Sequence, residues 1–174
     1  IVTATKGATT NYKVATNFKE FTFIMLPKVA LKETSISVCS NEEINLSEYV
    51  NEHSGTIKWY SDSEYNTEIT ELIFTPNPQT YYVKATNGEC APATAALDVS
   101  VTQVPSKPTF DPIPAKCDSY TLPTEDKKGL PIKWYETIES VTPLSDNTTV
   151  TATGTYYAEG VNGNCVSDSR TAVE

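Results

Sequence analysis

One block of this chain occurs twice. Cys39, Ile57-Lys58-Trp59-Tyr60, Tyr81-Tyr82-Val83 and Asn87-Gly88-Glu89-Cys90 return as Cys117, Ile132-Lys133-Trp134-Tyr135, Tyr156-Tyr157-Ala158 and Asn162-Gly163-Asn164-Cys165. The step from Trp to the Tyr pair is 22 residues in both copies, and the Cys-to-Cys spans are 51 and 48. Self-similarity at this period means repeated modules in an array. The functional question becomes what a string of such modules does, rather than which reaction one site performs.

The repeat also sets the boundaries. Leu26-Pro27 stands as far ahead of Cys39 as Val104-Pro105 does ahead of Cys117, which gives modules at residues 27–104 and 105–174. Residues 1–26 then read as the C-terminal strands of a preceding, diverged module: Val2-Thr3-Ala4-Thr5 and the run Tyr12 to Asn17 echo Val150 to Thr153 and Ala85-Thr86-Asn87. Aligned on its second cysteine, the second module reaches Glu174 near the equivalent of Val99, so its last strand reads as truncated. The chain is therefore expected to be a piece of a longer protein.

Modules of this size sit near the minimum for a self-standing core, where covalent staples are common. Four cysteines allow three pairings. If each module closes on itself, Cys39 pairs with Cys90 and Cys117 with Cys165, each loop contributing about 4 kcal/mol in the chain-entropy model. Persistent disulfides imply an oxidising compartment and export. No apolar run is long enough to span a bilayer, so no membrane insertion is expected in this segment. The net charge of -9 is carried by the two full modules, at 4 Lys/Arg against 11 Asp/Glu in residues 27–104 and 6 against 10 in residues 105–174. Such a surface repels nucleic acid and favours solubility.

Thr, Val, Ile and Tyr dominate the runs and Asn-Gly and Pro punctuate them, so both modules are expected to be all-β. In Ile57 to Tyr60 the alternation turns Ile57 and Trp59 inward and Lys58 and Tyr60 outward. Tyr81, Val83 and Ala85, with Tyr156 and Ala158, point inward on the next strand, which leaves Tyr82 and Tyr157 outward. Asn87-Gly88 and Asn162-Gly163 sit where a tight hairpin needs positive φ. A buried Trp on a central strand, a strand opened by Tyr, a hairpin and a final strand make the layout of an immunoglobulin-like β-sandwich. The second cysteine falls beyond the hairpin, so the expected intradomain disulfide lies at the module's edge rather than in its core.

With I-K-W-Y, the T-x-T-G-T-Y-Y-A run at Thr151 to Ala158 and the N-G-x-C turn in place, the sequence resembles the immunoglobulin-like repeats of very long cell-surface and secreted proteins of the Bacteroidota, including adhesins linked to gliding motility and type IX secretion. The resemblance implies export, display at the bacterial cell surface or outside the cell, and neighbouring immunoglobulin-like domains as partners within one chain. It implies no ligand.

Site chemistry is sparse. His53 stands among Glu, Asn and Ser, as solvated loop histidines do, and has no counterpart in the second module. No serine stands in a strand-to-helix elbow, and the cysteines lack zinc spacing. Glu42-Glu43 and Asp62-x-Glu64 offer oxygens for calcium, but no D-x-D-x-D-G loop accompanies them. No enzyme activity, cofactor or metal is therefore expected. Outward Tyr60, Tyr135, Tyr82 and Tyr157 are candidates to stack on a surface glycan or dock a protein, set against the bland role of covering their own sheet. Trp59, Trp134, Tyr81 and Tyr156 are core candidates. Pro105, Pro108, Pro112 and Pro114 give an extended, glycine-free linker. The leading reading is a non-catalytic spacer of a large exported multi-domain surface adhesin, projecting a binding or assembly region. Its rivals are a carbohydrate- or protein-binding module and an accessory domain of a secreted polysaccharide-degrading enzyme.

Overall fold

The computed structural model describes residues 24–113 and 117–174. The expected remnant of a preceding module, residues 1–26, lies almost wholly outside the described residues. Strands make up the fold, and the one helical element among the described residues is a single 3-10 turn at Leu46–Tyr49.

In the first repeat the strands are β1 (Lys28–Leu31), β2 (Ser35–Cys39), β3 (Ile44–Asn45), β4 (Val50–Ser54), β5 (Thr56–Tyr60), β6 (Glu68–Ile69), β7 (Ile73–Phe74), β8 (Gln79–Thr86) and β9 (Ala93–Thr102). A five-stranded sheet runs in the order β2-β9-β8-β5-β6, beside the antiparallel pairs β1-β4 and β3-β7. The period-2 pattern is realised along β8 and at Trp59, while Ile57, expected inward, is half-buried like Tyr60. Along β8 Tyr81, Val83 and Ala85 are buried while their neighbours are not, and Trp59 on β5 is 1% exposed. Leu97 and Val99 continue the buried face on β9. β2 is the exception to the antiparallel rule: it runs parallel to β9, Ser35 facing Asp98 and Cys39 facing Thr102.

The second repeat contributes β10 (Tyr120–Thr121), β11 (Ile132–Tyr135), β12 (Thr149–Val150), β13 (Tyr156–Asn162), β14 (Cys165–Val166) and β15 (Thr171–Val173). β13 pairs with β11, β14 and β15, and β10 pairs with β12. Leu122, Ile132, Trp134 and Ala158 form its buried cluster, with Phe110, Tyr120, Leu144, Val150, Tyr156 and Val173 packed against it. Burying Trp134 makes its indole N–H need an acceptor, and Nε1 donates to the Pro123 carbonyl at 2.6 Å.

Both Asn-Gly turns carry positive φ on the glycine, Gly88 at 56° and Gly163 at 60°, and neither Asn does. Glycine at the first central position is what a type II′ hairpin demands. By backbone contacts the chain divides into two compact units. One gathers the described residues up to Glu33 with Leu46–Thr70 and Tyr81–Leu97; the other gathers Thr34–Asn45, Glu71–Thr80 and Asp98–Glu174.

Candidate functional site

The cysteines depart from the expected pairing. Cys39 is bonded to Cys165, with Cα atoms 5.6 Å apart, and Cys90 and Cys117 are free thiols. The strand register explains why Cys39 does not reach Cys90. Cys39 faces Thr102, the last residue of ten-residue β9, whereas Cys90 precedes the first. A strand of that length covers about 30 Å, and a disulfide tolerates a Cα separation of about 7 Å at most. Closing each module on itself is therefore the wrong rule for these cysteines: the bond joins the first cysteine of one repeat to the turn cysteine of the next.

Polar contacts surround this bond. Ser40 N–H donates to the Thr102 carbonyl at 2.9 Å, and Val104 N–H donates to Ser40 Oγ at 3.0 Å. Asn162 Nδ2 donates to the Gln103 carbonyl and Asn41 Nδ2 to Asp168, both at 2.9 Å. Glu42 accepts the Cys39 N–H at 2.9 Å, so one of the candidate calcium carboxylates is engaged with backbone. The stretch that opens the second repeat is not a free linker. Pro108 is fully buried, its carbonyl accepts the Thr171 hydroxyl, and Phe110 lies 5.2 Å from the Trp134 ring. Gly160 admits this segment, since a Cβ there would stand 3.0 Å from the Ser106 carbonyl oxygen.

Asp126 locks the same stretch. One carboxylate oxygen accepts the N–H groups of Lys128 and Leu130, and the other accepts the N–H and hydroxyl of Thr109. Burial alone pushes its pKa up. The four hydrogen bonds outweigh that and hold the carboxyl below its ordinary value.

The tyrosines split between two fates. Tyr135, expected to face outward, is 5% exposed. It does occupy the face opposite Trp134, but that face is covered. The Arg170 guanidinium lies 3.5 Å from the ring centroid, Arg170 Nε donates to Glu159 at 3.2 Å, and the Tyr135 hydroxyl donates to the other Glu159 oxygen at 2.7 Å. Arg170 also donates to the carbonyls of Thr137 and Ile138. Burial, then the bond to Glu159 and its charge, raises the Tyr135 pKa against the smaller opposing pull of Arg170. Tyr157 faces Tyr135 across the β11–β13 pair and is half-buried, as is Tyr156.

In the first repeat Tyr60 and Tyr82 are paired across β5 and β8 and both half-buried. Tyr65 joins them, its ring 5.4 Å from Tyr60 and 6.2 Å from Tyr82, with Lys84 Nζ 5.0 Å from its centroid. Tyr65 has φ at 61°, held by Asp62, whose carboxylate accepts the N–H groups of Glu64, Asn66 and Thr67. Those bonds, led by the one from Asn66, keep Asp62 below its usual pKa despite partial desolvation. Tyr65 was not among the candidates drawn from sequence. Asp62 followed by Asn66-Thr67 is the signal that could have found it, since a short acidic side chain capping successive amides marks a loop built to a fixed shape.

Among the described residues no group of three or more His, Cys, Asp and Glu is arranged to hold a metal ion. His53 is exposed on β4, facing Val29 on β1. A cavity of about 500 Å³ opens beside Trp134, lined among others by Tyr120, Leu122, Val150, Tyr156 and Val173. Among the described residues no helix is long and apolar enough to cross a membrane.

Residues 105–174 match the family model described as Ig-like domain, CHU_C associated. No curated protein matches the chain. Among solved structures, the chain is similar to Sidekick-1 immunoglobulin domains 1–5, at 13% identity over 87% of this chain and 39% of that one, with a TM-score of 0.43. It is also similar to the insect immune protein hemolin, whose domain arrangement is described as having implications for homophilic adhesion, at 12% identity over 85% of this chain and 47% of that one, with a TM-score of 0.41. The chain spans less than half the length of either structure.

Proposed function

We propose that this chain is a non-catalytic spacer segment of a large, exported, multi-domain surface protein, one that projects a binding or assembly region. The observation that carries the reading is the bond from Cys39 in the first repeat to Cys165 in the second. A catalytic module gains nothing from a covalent tie to its neighbour. A spacer does, because its task is to hold one repeat at a fixed setting from the next. The hydrogen bonds of Ser40, Asn41 and Asn162 around that bond serve the same end, and so does the buried Pro108 segment, which removes slack. The immunoglobulin-like family match of the second repeat supports a modular array, and the disulfide supports an oxidising, extracellular setting. Display on a bacterial surface, an adhesin tip and a gliding or type IX secretion context belong to the same proposal and rest on the resemblance in the repeat motifs.

Small-angle scattering tests it. The oxidised chain is expected to give one distance distribution that is unchanged by moderate salt or calcium and broadens on reduction or in Cys39→Ser. A distribution that shifts with calcium, or that ignores loss of the bond, refutes the spacer.

A second reading is favoured by the Tyr60, Tyr65, Tyr82 and Lys84 cluster, a ring surface suited to stacking on a sugar or a partner side chain. Under it, a glycan array gives a signal that Tyr65→Ala abolishes; silence across the array removes that reading for carbohydrate.

A further inference from the structure

The two free thiols occupy positions that the repeat has already used once. Cys90 stands in the first repeat where Cys165 stands in the second, and Cys117 stands where Cys39 does. Around Cys165, Asn162 Nδ2 donates to the Gln103 carbonyl at 2.9 Å and the Cys165 sulfur lies 3.7 Å from the Thr102 carbonyl oxygen. Around Cys90, Asn87 Nδ2 donates to the Met25 carbonyl at 2.9 Å and the Cys90 sulfur lies 3.9 Å from the Ile24 carbonyl oxygen. Ile24 and Met25 precede Pro27 as Thr102 and Gln103 precede Pro105. The same joint is thus built twice, from the same side chain, the same turn and equivalent backbone carbonyls. At one joint the turn cysteine is bonded to Cys39, which β2 sets opposite Thr102. At the other the turn cysteine carries a free thiol.

We infer that Cys90 and Cys117 are each one half of a further inter-repeat disulfide. Cys90 takes the first cysteine of a preceding repeat, held opposite Ile24 as Cys39 is held opposite Thr102. Cys117 takes the N-G-x-C turn cysteine of a following repeat. Each partner lies about 126 residues away in the chain, the separation of Cys39 and Cys165. The bonds form a ladder in which each of the two full repeats is tied to both neighbours and neither to itself; the preceding repeat, with Glu20 where the turn cysteine would stand, offers only its first cysteine. The inference rests on the tandem-array reading above. Its partner is a second module of this type, recognised by an Asn side chain reaching the backbone two residues before the boundary proline.

The chemistry needs one small disulfide oxidant per bond. The thiolate of Cys117 attacks one sulfur of the oxidant RSSR, forming a mixed disulfide and expelling RS⁻. The partner thiolate then displaces the second RS⁻. Two protein thiols are oxidised, RSSR is reduced to two RSH, and the two thiol protons end on the released thiols.

Alkylation under denaturing, non-reducing conditions followed by peptide mapping tests this. In the 174-residue chain, the label is expected on Cys90 and Cys117 only, with Cys39 and Cys165 recovered as one linked peptide. In a chain continued after Glu174 by a copy of residues 100–174, which keeps the repeat register and carries Thr121→Ser and Val166→Ile in the copy alone so that its two cysteine peptides differ in mass, Cys117 loses its label and is recovered linked to the turn cysteine of the added copy. Cys117→Ser in that longer chain returns the label to the added turn cysteine. Recovery of the Cys39–Cys165 peptide certifies the joint in the same sample, so a Cys117 that stays labelled beside it overturns the ladder. Peptides linking two cysteines of one repeat overturn it as well. Protein isolated from its natural source without reduction gives an independent measure: Cys90 and Cys117 refractory to alkylation are expected, and labelled thiols there refute the inference. A failed ladder leaves the scattering result standing, and a failed scattering result leaves the mapping standing.

Discussion

The clamp of Arg170, Glu159 and Tyr135 gives the sharpest test of how the second repeat is held. Surface ion pairs contribute about 0–1 kcal/mol, but the Arg170 and Glu159 side chains are only 14% and 13% exposed. Breaking a pair that deep is expected to cost about 3 kcal/mol, because the survivor keeps its charge away from water. Arg170→Met also uncovers the Tyr135 ring, a cation–π contact of about 1–2 kcal/mol when desolvated, and leaves the Thr137 and Ile138 carbonyls without this donor. The single variant should therefore lose about 4 kcal/mol. Glu159→Gln keeps an acceptor for the Tyr135 hydroxyl and should lose about 2 kcal/mol. In the double variant no buried charge is left unpaired, so the cycle should return a coupling of about 2 kcal/mol. Urea unfolding followed by tryptophan fluorescence measures it; with a slope of about 1–3 kcal/mol per M, Arg170→Met moves the midpoint by at least about 1 M. A coupling below about 0.5 kcal/mol, the value of an exposed pair, would show that burial does not strengthen this contact.

Tyr135→Phe tests the same site by pH: the raised phenol pKa means its contribution is fully present below the unfolded value of about 10 and lost as pH rises through the folded value. The stability difference between wild type and Tyr135→Phe should therefore shrink on the alkaline limb, and a pH-independent difference would contradict the assignment. Asp126→Asn leaves one acceptor oxygen for donors from both Thr109 and the Lys128–Leu130 turn, and should cost about 2 kcal/mol at pH 7. Its lowered pKa places that stability above the ordinary carboxyl value, so the gap to wild type should close as pH falls through the folded pKa; a constant gap in acid melts would contradict it. Cys39→Ser removes a cross-link closing a 126-residue separation, about 5 kcal/mol in the chain-entropy model, and a urea midpoint indistinguishable from that of the oxidised chain would refute it.

How much of this was legible in the sequence follows from which interactions are local. Trp59, Tyr81, Val83 and Ala85 fell inward because a two-residue period is fixed by the strand itself, and Gly88 and Gly163 took positive φ because the hairpin leaves no alternative. Tyr135 shows where the period stops being informative. It reports the face of the sheet on which a side chain lies, not what covers that face. The cover comes from Arg170, the only arginine in a chain that otherwise uses lysine. That lone arginine was the available signal, because a planar guanidinium can stack on a ring and pair with a carboxylate at once, which an ammonium does not. Pro108 is a parallel case. Proline fixes φ in a linker and in a packed strand alike, so composition could not tell an extended spacer from a segment buried in the second repeat.

The cysteines failed for a different reason, and it bears on how such arrays gain stability. Pairing within a module follows if each module is an independent folding unit. The parallel register of β2 on β9 defeats it by carrying Cys39 to the end of β9 remote from Cys90. A bond between adjacent repeats cross-links a far longer stretch of chain than one within a repeat. In the chain-entropy model the gain grows only with the logarithm of that length, by about 1 kcal/mol or less from 51 to 126 residues. The length of the loop is thus a minor term. What the bond does for the fold is fasten β2, from the first repeat, to the start of β14, from the second, inside one compact unit, so that neither segment leaves it alone. A cross-link from Cys39 to Cys90 would lie wholly within the first repeat, whereas this one fastens a strand of the first repeat to a strand of the second, the tie that the proposed spacer reading requires.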